Sequence, residues 1–88
     1  MMEVITGLKM IDKISIELVK AKQKHPQFAD SLFEAVCILS EEVGEVAQAV
    51  YDFERDSGGY EDIEQELAQV GAVVARFLRF VEIIKKEM

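Results

Sequence analysis

The sequence has few of the residues that form covalent crosslinks or soft-metal sites. Its 88 residues include one cysteine, one histidine and no tryptophan. Cys37 has no partner for an intrachain disulfide, which is consistent with a reducing compartment, and we expect a cytoplasmic protein. Structural zinc sites need several Cys or His ligands, and di-iron bundles need Glu-x-x-His pairs, so neither kind of centre is expected.

Long apolar runs and excess positive charge are missing as well. No uninterrupted apolar stretch reaches the roughly 18 residues of a transmembrane helix, so we expect no membrane segment. Charged residues interrupt the apolar amino-terminal stretch, unlike a signal peptide. The 10 basic and 17 acidic residues give a net charge of −7. This acidity excludes a general nucleic-acid binder, because contacts to phosphates need a basic surface.

Helix breakers are rare, with one proline and five glycines in the chain. A helical spacing of apolar residues runs from about Met2 to Lys24, through Ile5, Leu8, Ile11 or Ile14, Leu18 and Ala21. Pro26 then disfavours helix at the residue before it. A second helix is predicted from Ser31, which forms a capping box with Glu34, to about Phe53–Arg55.

Asp56-Ser57-Gly58-Gly59 ends the second helix, and we expect a glycine there to take the left-handed conformation. A third helix follows from about Tyr60 to Lys86, with acids in its first turn and lysines in its last. The prediction is one all-α domain over residues 1–88, with three long helices and an antiparallel helical hairpin.

Half of the residues are hydrophobic, which is generous for so short a chain. A lone domain of this size buries only about 60–65% of the surface that its unfolded chain exposes. We interpret the excess as an interface, so the helices are predicted to assemble into an oligomeric helical bundle. The alternative is a tightly packed monomer.

Two glutamate clusters lie on helical sequence: Glu41-Glu42-Val43-Gly44-Glu45 and Glu66-Leu67-Ala68-Gln69. At 100° per residue, Glu42 falls in the middle of an apolar face, Glu45 lies about 60° to one side, and Glu66 borders the next helix's stripe. A carboxylate in such a place costs several kcal/mol unless it is paired or binds a metal.

In an antiparallel hairpin the two clusters would face each other, because each lies roughly 9–16 Å from the turn at about 1.5 Å per residue. Several carboxylate oxygens with room for water are typical of a Mg²⁺ or Mn²⁺ site. The alternative is a solvated acidic face, which a helical chain with 17 acids often has.

The pair of motifs E-E-V-G-E at Glu41–Glu45 and E-L-A-Q-V at Glu66–Val70 resembles the MazG-like all-α nucleotide pyrophosphohydrolases. The family signature is E-E-x-x-E, a variable gap, then E-x-x-D, and the similarity covers about half of the chain. The resemblance implies a dimer or a dimer of dimers. It also implies Mg²⁺-dependent hydrolysis of a (deoxy)nucleoside triphosphate to a monophosphate and pyrophosphate.

By the same resemblance, Glu42, Glu45 and Glu66 match the metal ligands. Glu41 matches the remaining motif acid, which would act in catalysis by orienting the attacking water or by holding a further metal. Gln69 stands where the family has an aspartate, and it brings an amide oxygen but no charge. Asp62, one turn before Glu66, is a candidate to compensate for the charge missing at Gln69, either as a metal ligand itself or as a residue next to the ligands.

Two cations are candidates to contact the phosphates, Arg76 on the Glu66 edge of the third helix and Lys24 from a neighbouring helix. For each, a solvated surface cation is the alternative. A different class of function also fits the sequence. The apolar stripes can build a non-catalytic oligomerisation or protein-interaction module, including a degenerate family member that is inactive because of Gln69.

Overall fold

The computed structural model of the protein describes residues 2–88, with side chains from residue 9 onward. Met1 and the side chains of the predicted apolar positions Ile5 and Leu8 lie outside this part. Three helices make up the described chain: α1 (Met2–Lys24), α2 (Leu32–Glu54) and α3 (Tyr60–Glu87), and it contains no strand. The predicted all-α class and the predicted extents of the three helices are confirmed.

Helix α2 begins with a side-chain cap. Ser31 has an extended backbone (φ −152°, ψ 163°), and its Oγ accepts a hydrogen bond from the Glu34 amide at 3.0 Å. This bond satisfies one of the amides that a helix start leaves without a partner. The reciprocal bond from the Glu34 side chain is not formed within residues 2–88, so half of the predicted capping box is present.

The turn between α2 and α3 differs from the sequence-based expectation. The left-handed residue is Asp56, with φ of 60°, and no glycine of the described chain has a positive φ. Aspartate tolerates this conformation better than most residues do. Ser57 stabilises the turn, because its amide and its hydroxyl both donate to the Asp52 carbonyl, at 2.9 and 3.1 Å. Gly59 donates its amide to Asp62 Oδ2 at 3.2 Å and so starts α3.

Helix α3 lies between the other two. It forms the predicted antiparallel hairpin with α2, and Phe53 and Tyr60 close this hairpin with ring centroids 4.4 Å apart. Helix α1 runs parallel to α3 on its other side, from a Lys13–Glu64 ion pair to Arg76, which donates to the carbonyls at the end of α1. Within the described chain α1 and α2 make no helix–helix contact, so the three helices form an open layer.

Helix α1 comes close to the backbone of α3 at Gly71. A Cβ atom placed on Gly71 would lie 2.8 Å from Ile14 Cγ1 and 2.9 Å from its Cδ1. These distances are well inside van der Waals contact, so the absent side chain is what lets the isoleucine pack against the backbone of α3. The absence of a side chain at Gly71 therefore sets how closely α1 packs against α3.

The interior of this layer is small. Over residues 9–88, all five buried hydrophobic residues are alanines, while fifteen large hydrophobic side chains are exposed, among them Phe33 at 78% and Leu78 at 64%. The radius of gyration is 14.8 Å, against about 12 Å for a compact domain of this length. The accessible area is 6811 Å², against about 5200 Å² for a folded monomer of this mass. Much apolar surface is thus left uncovered by the chain itself.

No described helix is both long and apolar enough to cross a membrane.

Candidate metal centre

Three of the predicted carboxylates converge where α2 packs on α3. Glu42 and Glu45 lie on adjacent turns of α2, and the antiparallel hairpin brings Glu66 of α3 opposite them. One carboxylate oxygen from each residue lies within 4.8 Å of the other two. Oxygens at this separation can bind one hard divalent cation after small rotamer adjustments.

The burial of the three carboxylates is uneven. Glu42 and Glu66 are half-buried and Glu45 is exposed, so the cluster opens toward solvent on the Glu45 side. Glu42 Oε2 and Glu66 Oε2 are buried without any hydrogen-bond partner among the described residues. An oxygen left in this state costs about 1–3 kcal/mol, and more when it is charged.

The electrostatics of the cluster favour the arrival of positive charge. Burial, followed by the negative charge of Glu45, raises the pKa of Glu42 from 4.5 to about 6. Burial also raises the pKa of Glu66, and the nearby Glu45 carboxylate adds to the effect. None of the ion pairs in the described chain involves these three residues.

This donor set fits a hard cation. Oxygen-only ligands with two or three charges suit Mg²⁺ or Mn²⁺, and none of the three clustered residues is a Cys or His, the ligands that softer metals prefer. The two buried oxygens without partners would gain a partner from a bound cation. The cluster therefore has both the chemistry and the unsatisfied atoms that such an ion would complete.

Two grooves adjoin the cluster. The first, of about 280 Å³, is formed by α2 and α3 and is lined by Glu45, Gln48, Ala49, Asp52, Asp62 and Glu66. The second, of about 400 Å³, lies toward α1 and is lined by Glu17, Lys20, Ala21, Lys24, His25, Glu42, Gln65, Gln69, Ala72 and Val73. Each groove is therefore lined by at least one of the three clustered glutamates.

The other predicted acids lie around the cluster. Glu41 is exposed and its charge raises the pKa of Glu42, but it is not one of the three clustered residues. Asp62 raises the pKa of Glu66 by its charge while its Oδ2 accepts from the Gly59 amide. Gln69 is half-buried and lines the second groove together with Glu42. Their roles toward a metal stay predictions.

The two predicted phosphate-binding cations are placed differently. Lys24 lines the second groove with Glu42. Arg76 instead donates to the carbonyls of Ala21 and His25, and its guanidinium lies 5.3 Å from the centroid of the Phe28 ring. Burial lowers the pKa of Arg76. The structure brings Arg76 to the end of α1, in a different groove from that of Glu42. The described contacts give it a helix-capping role.

Sequence reasoning missed four residues that line the second groove: Glu17, Lys20, His25 and Gln65. Glu17 is 9% exposed and lies on α1. A signal for it was available, because Glu17 is three residues after Ile14 and four before Ala21, which puts it on the apolar stripe of α1. Lys20 is one turn before Lys24 and so shares its face.

Comparison of the chain with protein-family models, with curated proteins and with solved structures gave no match.

Proposed function

We propose that this chain is a Mg²⁺-dependent nucleotide pyrophosphohydrolase, with Mn²⁺ as a second usable ion. It would convert a (deoxy)nucleoside triphosphate to the monophosphate and pyrophosphate in the cytoplasm. The observation that carries the proposal is the convergence of Glu42, Glu45 and Glu66 within 4.8 Å from two helices. The buried, unpartnered oxygens of Glu42 and Glu66 add to it. The motif resemblance to MazG-like enzymes supplies the reaction.

In this proposal Glu42, Glu45 and Glu66 hold the ion through carboxylate oxygens. When bound, Mg²⁺ supplies Lewis-acid polarisation of a phosphoryl oxygen and lowers the pKa of water. Glu41, exposed beside Glu42, orients the attacking water and accepts its proton. Gln69 offers an amide to the substrate or an oxygen to the ion from the wall of the second groove.

We also propose that the active form is a homo-oligomer, a dimer or a dimer of dimers, in an assembled MazG-like bundle. The support is the uncovered apolar surface, since fifteen large hydrophobic side chains are exposed among residues 9–88 of a single chain. Association would cover part of this surface and gain about 25 cal/mol for each Å² of apolar area removed from water.

The direct experiment is a panel of canonical ribo- and deoxyribonucleoside triphosphates, incubated with the purified protein and Mg²⁺ or with a chelator. Pyrophosphate and nucleoside monophosphate should both form, in equal amounts, only when Mg²⁺ is present. Glu45→Gln should abolish the release with helicity unchanged. Glu82→Gln is the matched control, since Glu82 is an exposed α3 acid that pairs with Arg79 at 3.5 Å. Equal release by wild type and Glu45→Gln would remove the cluster from the mechanism.

The exposed apolar faces alone also favour a second function, a non-catalytic helical module that binds a protein partner or its own copies. The same panel separates the two functions. A module of this kind would form a stable oligomer in sedimentation experiments yet release no pyrophosphate from any nucleotide with either metal.

A further inference from the structure

The second groove has walls of opposite charge. Glu42, one of the three clustered carboxylates, lies on one side of the groove. The last two turns of α1 and the residue after them contribute Lys20, Lys24 and His25 on the other side. The chain as a whole carries a net charge of −7, yet this wall of the groove has two lysines and a histidine. No ion pair in the described chain joins either lysine to Glu42 across the groove. The opposed charges are therefore available to a ligand.

A buried carboxylate, Glu17, contacts one of these cations. Glu17 Oε1 accepts a hydrogen bond from Gln65 Nε2 at 2.8 Å and from Lys20 Nζ at 3.5 Å. The Glu17 side chain is 10% exposed and that of Lys20 is 65% exposed. The ammonium group of Lys20 has three N–H donors, so this contact with Glu17 leaves donors for a ligand.

The Glu17 contacts also connect Lys20 to the helix turn that carries the clustered carboxylate Glu66. Gln65 directly precedes Glu66 on α3, so Glu17 links a groove cation to the helical turn that carries one of the three clustered carboxylates. Glu17 adds negative charge near Glu66 without being one of the three. Its position suits a residue that orients its neighbours rather than one that touches the ion.

The ligand that matches both walls is a polyphosphate carrying a divalent cation. Its metal end is complementary to the carboxylates, and its phosphate oxygens are complementary to ammonium groups. Lys20 and Lys24 are four residues apart on one helix face, with Cβ atoms about 6 Å apart, so one phosphate chain can contact both. We propose that Lys20 binds the polyphosphate of the substrate in this groove and that Glu17 is its positioning residue. This inference rests on the proposed function for the identity of the ligand.

The test uses a nucleoside triphosphate analogue with a methylene group between the α and β phosphates, which cannot be cleaved there. Calorimetry with Mg²⁺ measures its affinity for the full-length variants. Lys20→Met should weaken binding about tenfold, as expected for one charge-assisted hydrogen bond. Glu17→Gln keeps an oxygen for Gln65 but loses the charge that holds Lys20. It should weaken binding about threefold, and in steady-state assays it should raise KM with little change in kcat.

A double variant separates positioning from a general structural effect. If Glu17 acts through Lys20, adding Glu17→Gln to Lys20→Met should cause no further loss of affinity. Lys13→Met is the matched control. Lys13 is also an α1 lysine held by an acid, Glu64 at 2.8 Å, but it does not line this groove. It should bind the analogue as the wild type does.

Four outcomes decide the matter. Analogue affinity of Lys20→Met within twofold of wild type overturns the inference, and if Glu45→Gln still abolishes hydrolysis, the proposed function stands. Additive losses in the double variant overturn the positioning role of Glu17. A wild type that binds the analogue but releases no pyrophosphate from any nucleotide overturns the proposed function, while the Lys20 comparison still tests the groove. A wild type that binds no analogue overturns both.

Discussion

Replacing Glu42 by glutamine should stabilise the metal-free protein while removing its response to Mg²⁺. Glu42 lies against two other carboxylates, and one of its oxygens is buried without a hydrogen-bond partner. Its pKa is raised from 4.5 to about 6, mainly by burial. The ionised form is therefore disfavoured in the folded state, and glutamine keeps the shape without the charge.

The magnitude follows from the raised pKa. A rise from 4.5 to about 6 corresponds to about 2 kcal/mol, at about 1.4 kcal/mol per pKa unit. Because much of the Glu42 carboxyl group still faces water, solvent screening reduces this to about 1 kcal/mol. For a chain of this length that is a rise in melting temperature of about 4–8 °C.

The sign of the pH dependence is fixed by the direction of the pKa change. Between pH 4.5 and about 6 the folded state holds more protons on Glu42 than the unfolded state does, so the stability of the wild type falls as pH rises through this window. Above this window the ionised Glu42 destabilises the folded state in full, and below pH 4.5 this destabilisation vanishes. The advantage of Glu42→Gln over wild type should thus be largest near pH 7.5 and close to zero near pH 4.5.

The assay is thermal unfolding followed by circular dichroism at one fixed protein concentration, with chelator and then with Mg²⁺. A hundredfold excess of Mg²⁺ over its Kd should stabilise the wild type by about 2.7 kcal/mol, and Glu42→Gln should gain little. Glu82→Gln is the control for loss of one acid from a solvent face, and it should show no such pH-dependent gain. A metal-free Glu42→Gln that melts below wild type at pH 7.5 would refute the account of the cluster's electrostatics.

Three further predictions concern the scaffold, each checked by urea unfolding. Gly71→Ala should lose about 1–3 kcal/mol of unfolding free energy, because its Cβ would lie 2.8 Å from Ile14 Cγ1. In the double variant with Ile14→Ala the two losses should be non-additive. Full additivity would contradict the contact between these residues. Ser31→Ala should lose about 1 kcal/mol, since its hydroxyl accepts from the Glu34 amide, whereas Ser31→Asp should retain the cap and most of the stability. Asp56→Val should lose about 1–2 kcal/mol, because φ is 60° there, and Asp56→Asn should be near neutral; an unaffected valine variant would argue against a left-handed residue at this position.

The helices were predictable because their signals are local. Apolar spacing over more than twenty residues, a serine cap and an Asp/Gly-rich break each act within a few residues along the chain. The meeting of Glu42, Glu45 and Glu66 was also predictable, since distance from the turn fixes axial height in an antiparallel hairpin. This prediction depends on one long-range assumption, that α2 and α3 form an antiparallel hairpin.

What could not be predicted depends on how α1 packs. A helical wheel puts Arg76 on the edge that carries Glu66, yet the carbonyls at the end of α1 accept its hydrogen bonds. Glu17 lies on the apolar stripe of α1, but only the packed structure shows that it contacts Gln65. In the turn, the two bonds from Ser57 to the Asp52 carbonyl accompany the left-handed conformation at Asp56, not at a glycine.

The central claim is that Glu42, Glu45 and Glu66 bind one divalent cation, and direct binding of Mn²⁺ tests it. Electron paramagnetic resonance of free Mn²⁺, titrated with protein, measures both stoichiometry and affinity. The wild type should show at least one saturable site per chain, weakened at least about tenfold in Glu45→Gln and unchanged in Glu82→Gln. Weak binding without saturation, equal in all three proteins, would contradict it.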